Sequence, residues 1–261
     1  MQGLRSDKCT VVKYILPFGA TSFSLSDVEW KAALFSRQLP YSGQKPFNLN
    51  RSNKEAREDA DFQALAEELE KRVIEFQSMD YESGPIALFA LAPQPLLIKL
   101  GFLLGDETDL MVFQRSRTSA GWNAVDDAKA TSFERKMTGG KEGASEAILI
   151  LSVSGQVNRQ SLPLEEKFQE LPTYEIIASD PGVNAADSSK SLEQFKTDSA
   201  EMIYQIHEEN PYVRRLHIFP AMPSSLNVML GATLNTSVIP QYLIYEKRDG
   251  RFSEALTIGA L

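Results

Sequence analysis

The chain has 261 residues, 43% apolar and 24% charged, with 15 Gly and 13 Pro. This is a folded globular composition with room for a sizeable core, which excludes disordered and collagen-like classes. The net charge of −8 argues against a broad nucleic-acid-binding face; the single Cys9 excludes an intramolecular disulfide framework or Cys-rich zinc site, and His207 and His217 leave little for a histidine metal centre or a His-based triad.

The opening apolar run, VVKYILP at 11–17, is interrupted by Lys13. It is too short to span a bilayer and no small-residue cleavage site follows, so it reads as a strand of a cytoplasmic protein. Residues 40–60 are polar and read as a loop. From Phe62 to Phe76, apolar residues recur at spacings of three and four, which predicts a helix with one buried stripe. IALFAL at 86–91 is a short apolar run ending near a proline, the pattern of a buried parallel strand. Residues 95–104 have helical spacing, with Pro95 suited to the first turn. DLMVFQR at 109–115 predicts another strand. The stretch 114–146 is polar and rich in Gly, Ser and Ala, which suits a hairpin with a mobile tip or a functional loop. Within it, Thr138–Gly143 lacks the spacing of a phosphate-binding loop and reads as a flexible tip.

AILILSV at 147–153 is a further strand, placed at the end of the first half. TYEIIAS at 173–179 matches VVKYILP as the strand opening the second half. Leu192, Phe195, Met202, Ile203 and Ile206 mark a second amphipathic helix, with Asp187 or Ser188 as N-cap and capping-box spacing from Ser191 to Gln194. LHIFPAM at 216–222 is a strand, 224–234 a helix capped by Ser224, and QYLIYEK at 241–247 a strand. Arg248-Asp249-Gly250-Arg251 reads as a hairpin turn. The matches Asn50-Arg51-Ser52 and Asn235-Thr236-Ser237 read as chance rather than glycosylation sites.

The second half resembles the first at an offset of 130 residues. Between 87–104 and 217–234, six of 18 aligned positions are identical: Phe89/Phe219, Pro93/Pro223, Leu96/Leu226, Leu100/Leu230, Gly101/Gly231 and Leu104/Leu234. Each copy follows an amphipathic helix and precedes a strand. The repeat predicts two Rossmann-type α/β units, with residues 1–160 as the first half and 161–261 as the second.

In open α/β sheets, ligands sit beyond the carboxyl ends of strands, at helix N-termini. Ala92-Pro93-Gln94 and Pro223-Ser224-Ser225 occupy that place in both halves. Free N–H groups there would suit a ligand with two or more phosphates. The alternative is that Pro93 and Pro223 only shape the turns.

The segments FALAPQPLLIKLGFLL with VFQRSRTSAGW, and LHIFPAMPSSLNVMLGATL with YLIYEKRDGRFSEALTI, resemble the SAVED domain over nearly the whole chain, roughly residues 10–261. The resemblance implies two fused CARF-like units that bind a cyclic di-, tri- or tetranucleotide in bacterial anti-phage defence, in CBASS or type III CRISPR systems. It implies ligand-driven homo-oligomerisation and a fused or partner effector, such as a nuclease, TIR domain, protease or membrane segment. It implies a sensor rather than an enzyme, with no cofactor or metal beyond the ligand and no binding to membrane or nucleic-acid polymer.

Carried onto this sequence, the resemblance assigns the pocket to Ala92, Pro93, Gln94, Pro223, Ser224 and Ser225. Arg115 is expected to pair with a phosphate, Trp122 to stack on a base, and Ser154 and Gly155 to approach the ligand backbone. Tyr245 and Lys247 are the counterparts of Phe113 and Arg115. Because only the first half carries a Trp-bearing insertion and Lys247 replaces Arg, recognition is expected to be asymmetric. The competing readings are a nucleotide-processing enzyme, such as a cyclic-nucleotide phosphodiesterase, and a structural subunit that has lost ligand binding. His217 reads as a satisfied structural residue.

Overall fold

The computed structural model describes residues 8–16, 24–50, 61–79, 84–115, 121–122, 130–163, 167–182 and 184–260. Much of the polar 40–60 loop and of the 114–146 stretch lies outside these residues.

The first sheet is entirely parallel. It contains β1 (Thr10–Ile15), β2 (Phe47–Asn48), β3 (Ile86–Leu91) and β4 (Leu110–Phe113), in the order β2-β1-β3-β4. The connecting helices are α1 (Asp27–Ser36), α2 (Phe62–Gln77) and α3 (Gln94–Leu104). Local chemistry explains their starts. Ser26 and Glu29 close a reciprocal capping box at α1. Asp61 accepts from the Ala64 N–H at α2.

The second sheet contains β5 (Phe133–Thr138), β6 (Glu146–Ser152), β7 (Thr173–Ala178), β8 (Arg215–Ala221), β9 (Gln241–Arg248) and β10 (Arg251–Gly259), ordered β10-β9-β8-β6-β7-β5. Its four central strands are parallel and its two edge strands antiparallel. The associated helices are α4 (Lys167–Glu170), α5 (Ser189–Glu209) and α6 (Ser224–Thr233). Asp249 and Gly250, both at positive φ, make the expected tight turn between β9 and β10.

The sheets correct one expectation. AILILSV does not close the first half: as β6 it lies between β7 and β8 in the second sheet. The strand pattern β2-β1-β3-β4 is repeated as β7-β6-β8-β9, so the counterpart of β1 is β6, and that of β7 is the short β2. The boundary between sheets falls between Phe113 and Phe133, not at residue 160. Both apolar strands are buried, and hydropathy alone cannot say which neighbour each one pairs with.

Helices α2, α3, α5 and α6 lie between the two sheets. One apolar core joins Val12, Leu88 and Val112 of the first sheet to Leu149, Ile218 and Ile244 of the second through Leu69, Leu96, Phe195 and Leu226. The first sheet buries its outer face with Trp30 and Leu34 of α1 against Phe89, Phe113 and Trp122. The second buries its outer face with Val157, Leu162 and Phe168 over Ile148, Ile150, Phe219 and Tyr245.

The centre of the molecule is the α3–α6 contact. A Cβ on Gly101 would stand 2.0 Å from the Val228 carbonyl oxygen, and one on Gly231 would stand 2.0 Å from that of Ile98. Position 98 plus 130 is 228, and 101 plus 130 is 231, so the two contacts are reciprocal under the sequence offset. The glycines let the backbones touch, which no residue with a Cβ permits at this distance.

Other local expectations need adjustment. Pro223, rather than Ser224, is the N-cap of α6, with Ser224 as first helical residue. The Ser191–Gln194 capping box is not formed: Ser188 is the N-cap, and Ser191 Oγ accepts from the Thr131 N–H at 2.8 Å. The expected flexible tip is exposed but anchored at one point. Gly140 abuts Pro172, where a Cβ would meet its nitrogen at 2.2 Å, and the Lys141 N–H donates to the Glu170 carbonyl.

Candidate ligand-binding crevice

The C-terminal ends of β3 and β8 lead into α3 and α6 through two turns, Ala92-Pro93 and Met222-Pro223. The close α3–α6 packing brings both turns to one crevice. Gln94 crosses it. Its Nε2 donates to the Pro220 carbonyl at 3.2 Å, and its Oε1 accepts from the Met222 N–H at 3.0 Å and Asn227 Nδ2 at 3.4 Å. Gln114, just past β4, crosses it in the other direction. Its Oε1 accepts from the Ser225 N–H at 3.1 Å and the Ser225 hydroxyl at 2.8 Å.

These crossed glutamines settle much of the N-terminal hydrogen bonding. The Leu96 and Leu97 N–H groups reach the Pro93 carbonyl, and those of Leu226 and Asn227 reach that of Pro223. Pro95 has no N–H. The first-turn N–H groups left to an anion are those of Gln94 and Ser224.

Six of the expected residues meet in this crevice: Ala92, Pro93, Gln94, Pro223, Ser224 and Ser225. Gln94 and Ser224 remain half-exposed, while the other four are buried. Ser154 joins its rim, because its N–H donates to the Ala221 carbonyl at 2.7 Å. Gly155 follows with open space around it. Arg115 stands next to Gln114, half-buried. Glu29 is held below the usual carboxylate range first by the Ser26 backbone and side-chain hydrogen bonds, and the Arg115 charge adds to this against the opposing effect of burial.

Two expected residues are elsewhere. Trp122 is 1% exposed and packs edge-to-face on Phe89, with ring centroids 5.4 Å apart, inside the outer core of the first sheet. It therefore offers no open face to a base. Tyr245 is buried on the outer face of the second sheet, stacked on Phe219 at 4.3 Å. Its hydroxyl lies 3.0 Å from His217 Nδ1, while His217 Nε2 lies 2.9 Å from Glu146 Oε2. His217 is thus a satisfied structural residue, as its place in a strand suggested. Lys247 is exposed, with its ammonium 5.9 Å from the Phe252 ring centre.

Sequence reasoning missed Gln114 and Asn227 among the crevice residues. Asn227 interrupts an otherwise apolar helix face and donates to the Met222 and Pro223 carbonyls. That lone polar residue in an apolar helix was the available signal. A separate hollow of about 640 Å³ on the outer face of the second sheet is lined by residues that include Lys136, Thr138, Arg159 and Glu175, and shares none of the expected residues.

The family described as "SMODS-associated and fused to various effectors sensor domain" matches residues 69–258. The chain belongs to the SAVED family. Two structures of the Acinetobacter baumannii Cap4 SAVED/CARF-domain receptor resemble this SAVED chain at 15% identity, one with the cyclic trinucleotide 2'3'3'-cAAA (TM-score 0.62) and one with 3'3'3'-cAAA (TM-score 0.63). In both, the match covers 97% of this chain and 52% of the receptor. The Moraxella osloensis Cap4 receptor matches at 14% identity and a TM-score of 0.60, over 95% of this chain and 50% of its own. No curated protein sequence matches. The SAVED chain thus spans about half the length of these receptors, and its α/β architecture is theirs. Among the described residues, no helix is long and apolar enough to cross a membrane, and no cluster of His, Cys, Asp or Glu forms a metal site.

Proposed function

We propose that this SAVED chain is a cytoplasmic sensor that binds a cyclic oligonucleotide in the crevice between α3 and α6 and signals anti-phage defence. The supporting observation is the pair of strand–turn–helix units joined across one crevice by Gln94 and Gln114. A ring-shaped ligand with repeating phosphates can engage both turns at once. Pro93, Gln94, Pro223, Ser224 and Ser225 shape the floor, Ser154 and Gly155 the rim. Arg115, just past β4, and Lys247, near the end of β9, are corresponding cations and supply phosphate contacts from the strand ends.

The chain senses its ligand without consuming it, and no metal or cofactor takes part. Occupancy favours an assembled state of several copies and so activates an effector in a further segment or a partner. For this the ring must bind the assembly more tightly than the single copy.

Calorimetry with cyclic di-, tri- and tetranucleotides, and light scattering of the same mixtures, tests both steps. Saturable binding of one ring class with a rise in particle mass is expected. A folded chain that binds none of these rings would overturn the reading. Linear product appearing on incubation would instead favour the phosphodiesterase.

A further inference from the structure

The repeat places different groups at one equivalent position in the two halves. The β3–β4 register pairs Leu88 with Val112, and the β8–β9 register pairs Ile218 with Ile244. With Leu88 and Ile218 matched by the repeat, Gln114 on the first side corresponds to Glu246 on the second, and Ser225 of α6 corresponds to Pro95 of α3. Gln114 is satisfied by the N–H and hydroxyl of Ser225. Proline offers neither. Glu246 Oε2 is accordingly buried with no hydrogen-bond partner.

Glu246 belongs to the crevice by placement. It follows Tyr242 and Ile244, both in the central core, at alternate positions along β9, on the side that packs against α3. Continuing the β8 register sets it level with Pro220, whose carbonyl receives Gln94. The residue as a whole keeps some exposure.

We infer that Glu246 is a specificity-determining residue of the proposed ligand site: its carboxyl group reads the edge of a nucleobase on the α3 side, where a phosphate is excluded. This rests on the reading of the chain as a cyclic-oligonucleotide sensor. Burial, partly opposed by Arg248, pushes the Glu246 carboxyl up to about 7. Among the described residues, the other charges near it are these. Ser253 stands opposite it on β10, and Arg251 opposite Arg248. Lys247 and Tyr245 belong to the other face of β9, and Glu254 pairs with Tyr245. On β8, Arg215 is bound to Glu146 and Gln241, and His217 faces the outer core. Lys99, the charge of α3, is paired with Glu70 at 3.0 Å.

A neutral carboxyl group has one donor and one acceptor side by side, like a glutamine amide. That pair matches an amino group next to a ring nitrogen, as in adenine. The ionised form has two acceptors and matches the adjacent N–H groups of guanine. The protonation state therefore selects the base, and adenine-type recognition weakens as pH rises through about 7.

The test uses the 261-residue chain with 3'3'3'-cAAA and its all-guanine analogue as probes, titrated between about pH 5.5 and about pH 8.5. The wild type is expected to lose adenine-ring affinity by about tenfold across that range. Glu246→Gln is expected to keep the low-pH affinity and lose its pH dependence, while Glu246→Ala loses about tenfold at low pH. Pro95→Ser, which supplies the missing donors, is expected to move the wild-type midpoint to lower pH. Affinities of both rings that stay flat with pH and unaltered in both Glu246 variants would overturn the inference and leave the sensor reading standing. A folded wild type that binds neither these rings nor the wider set would overturn that reading, and this inference with it.

Discussion

The two turns of the crevice have the same backbone plan and opposite polar chemistry. At α6, Ser225 supplies an N–H and a hydroxyl, and Gln114 takes both. At α3, Pro95 supplies nothing, and the position equivalent to Gln114 carries Glu246 with a buried, unpartnered oxygen. What the two halves share is the apolar packing: Leu96/Leu226, Leu100/Leu230 and the glycine pair. What differs is the set of groups lining the opening. Packing at a backbone-to-backbone contact tolerates almost no change, whereas a polar lining can vary as long as each side keeps the helix in place.

The largest effect is expected where the halves are least alike. Trp122 fills the outer core of the first sheet, so Trp122→Ala is expected to cost about 4 kcal/mol in urea unfolding. A cost under about 1 kcal/mol would mean that its indole is not a core group in solution. The glycine pair tests equivalence directly. Gly101→Ala and Gly231→Ala are each expected to destabilise by about 3 kcal/mol, and the double variant by less than the sum, since both push the same helices apart. A pair of unequal costs would break the reciprocal relation.

Glu246 distinguishes the halves by pH. Its carboxyl is raised from 4.5 to about 7 in the folded chain, so the native state holds a proton that the unfolded chain releases. The stability it contributes is full below about pH 4.5, declines as pH rises, and is gone above about pH 7, a loss of roughly 3 kcal/mol. Unfolding of Glu246→Gln, measured beside the wild type, is expected to lack that decline. Gln114→Ala strips Ser225 of its acceptor and is expected to cost about 2 kcal/mol, with weaker ring binding as the α6 turn loosens. Lys247→Ala is the smallest case. It is expected to alter stability by less than about 0.5 kcal/mol while weakening ring binding several-fold and flattening its salt dependence. Unaltered affinity would remove Lys247 from the phosphate contacts.

Most elements were legible because their signals are local. The period of three to four from Phe62 to Phe76 and the apolar runs at 86–91 and 216–222 each depend on a few neighbouring residues. The duplication was legible too, because the α3–α6 contact imposes glycine at the same place twice. Strand partnership was not. AILILSV and TYEIIAS both read as buried strands, and only the sheet order makes β6 the counterpart of β1. In the crevice, the six turn residues were placed by the strand–helix rule alone. Trp122 was misplaced because a polar, glycine-rich surround suggests a loop, and nothing local shows that its ring turns inward onto Phe89. Gln114 and Glu246 stood in plain view, but their importance depends on which donor faces each of them across the interface.

The glycine contact also limits how the protein can move. Where two helices meet through their main chains, there are no side chains to change rotamer and absorb a slide. Gln94 fastens the starts of these two helices to each other, and Gln114 ties the start of α6 to the end of β4. Were the two sheets to open about Gly101 and Gly231, a small separation at the turns would swing the distant strand edges through a much longer arc.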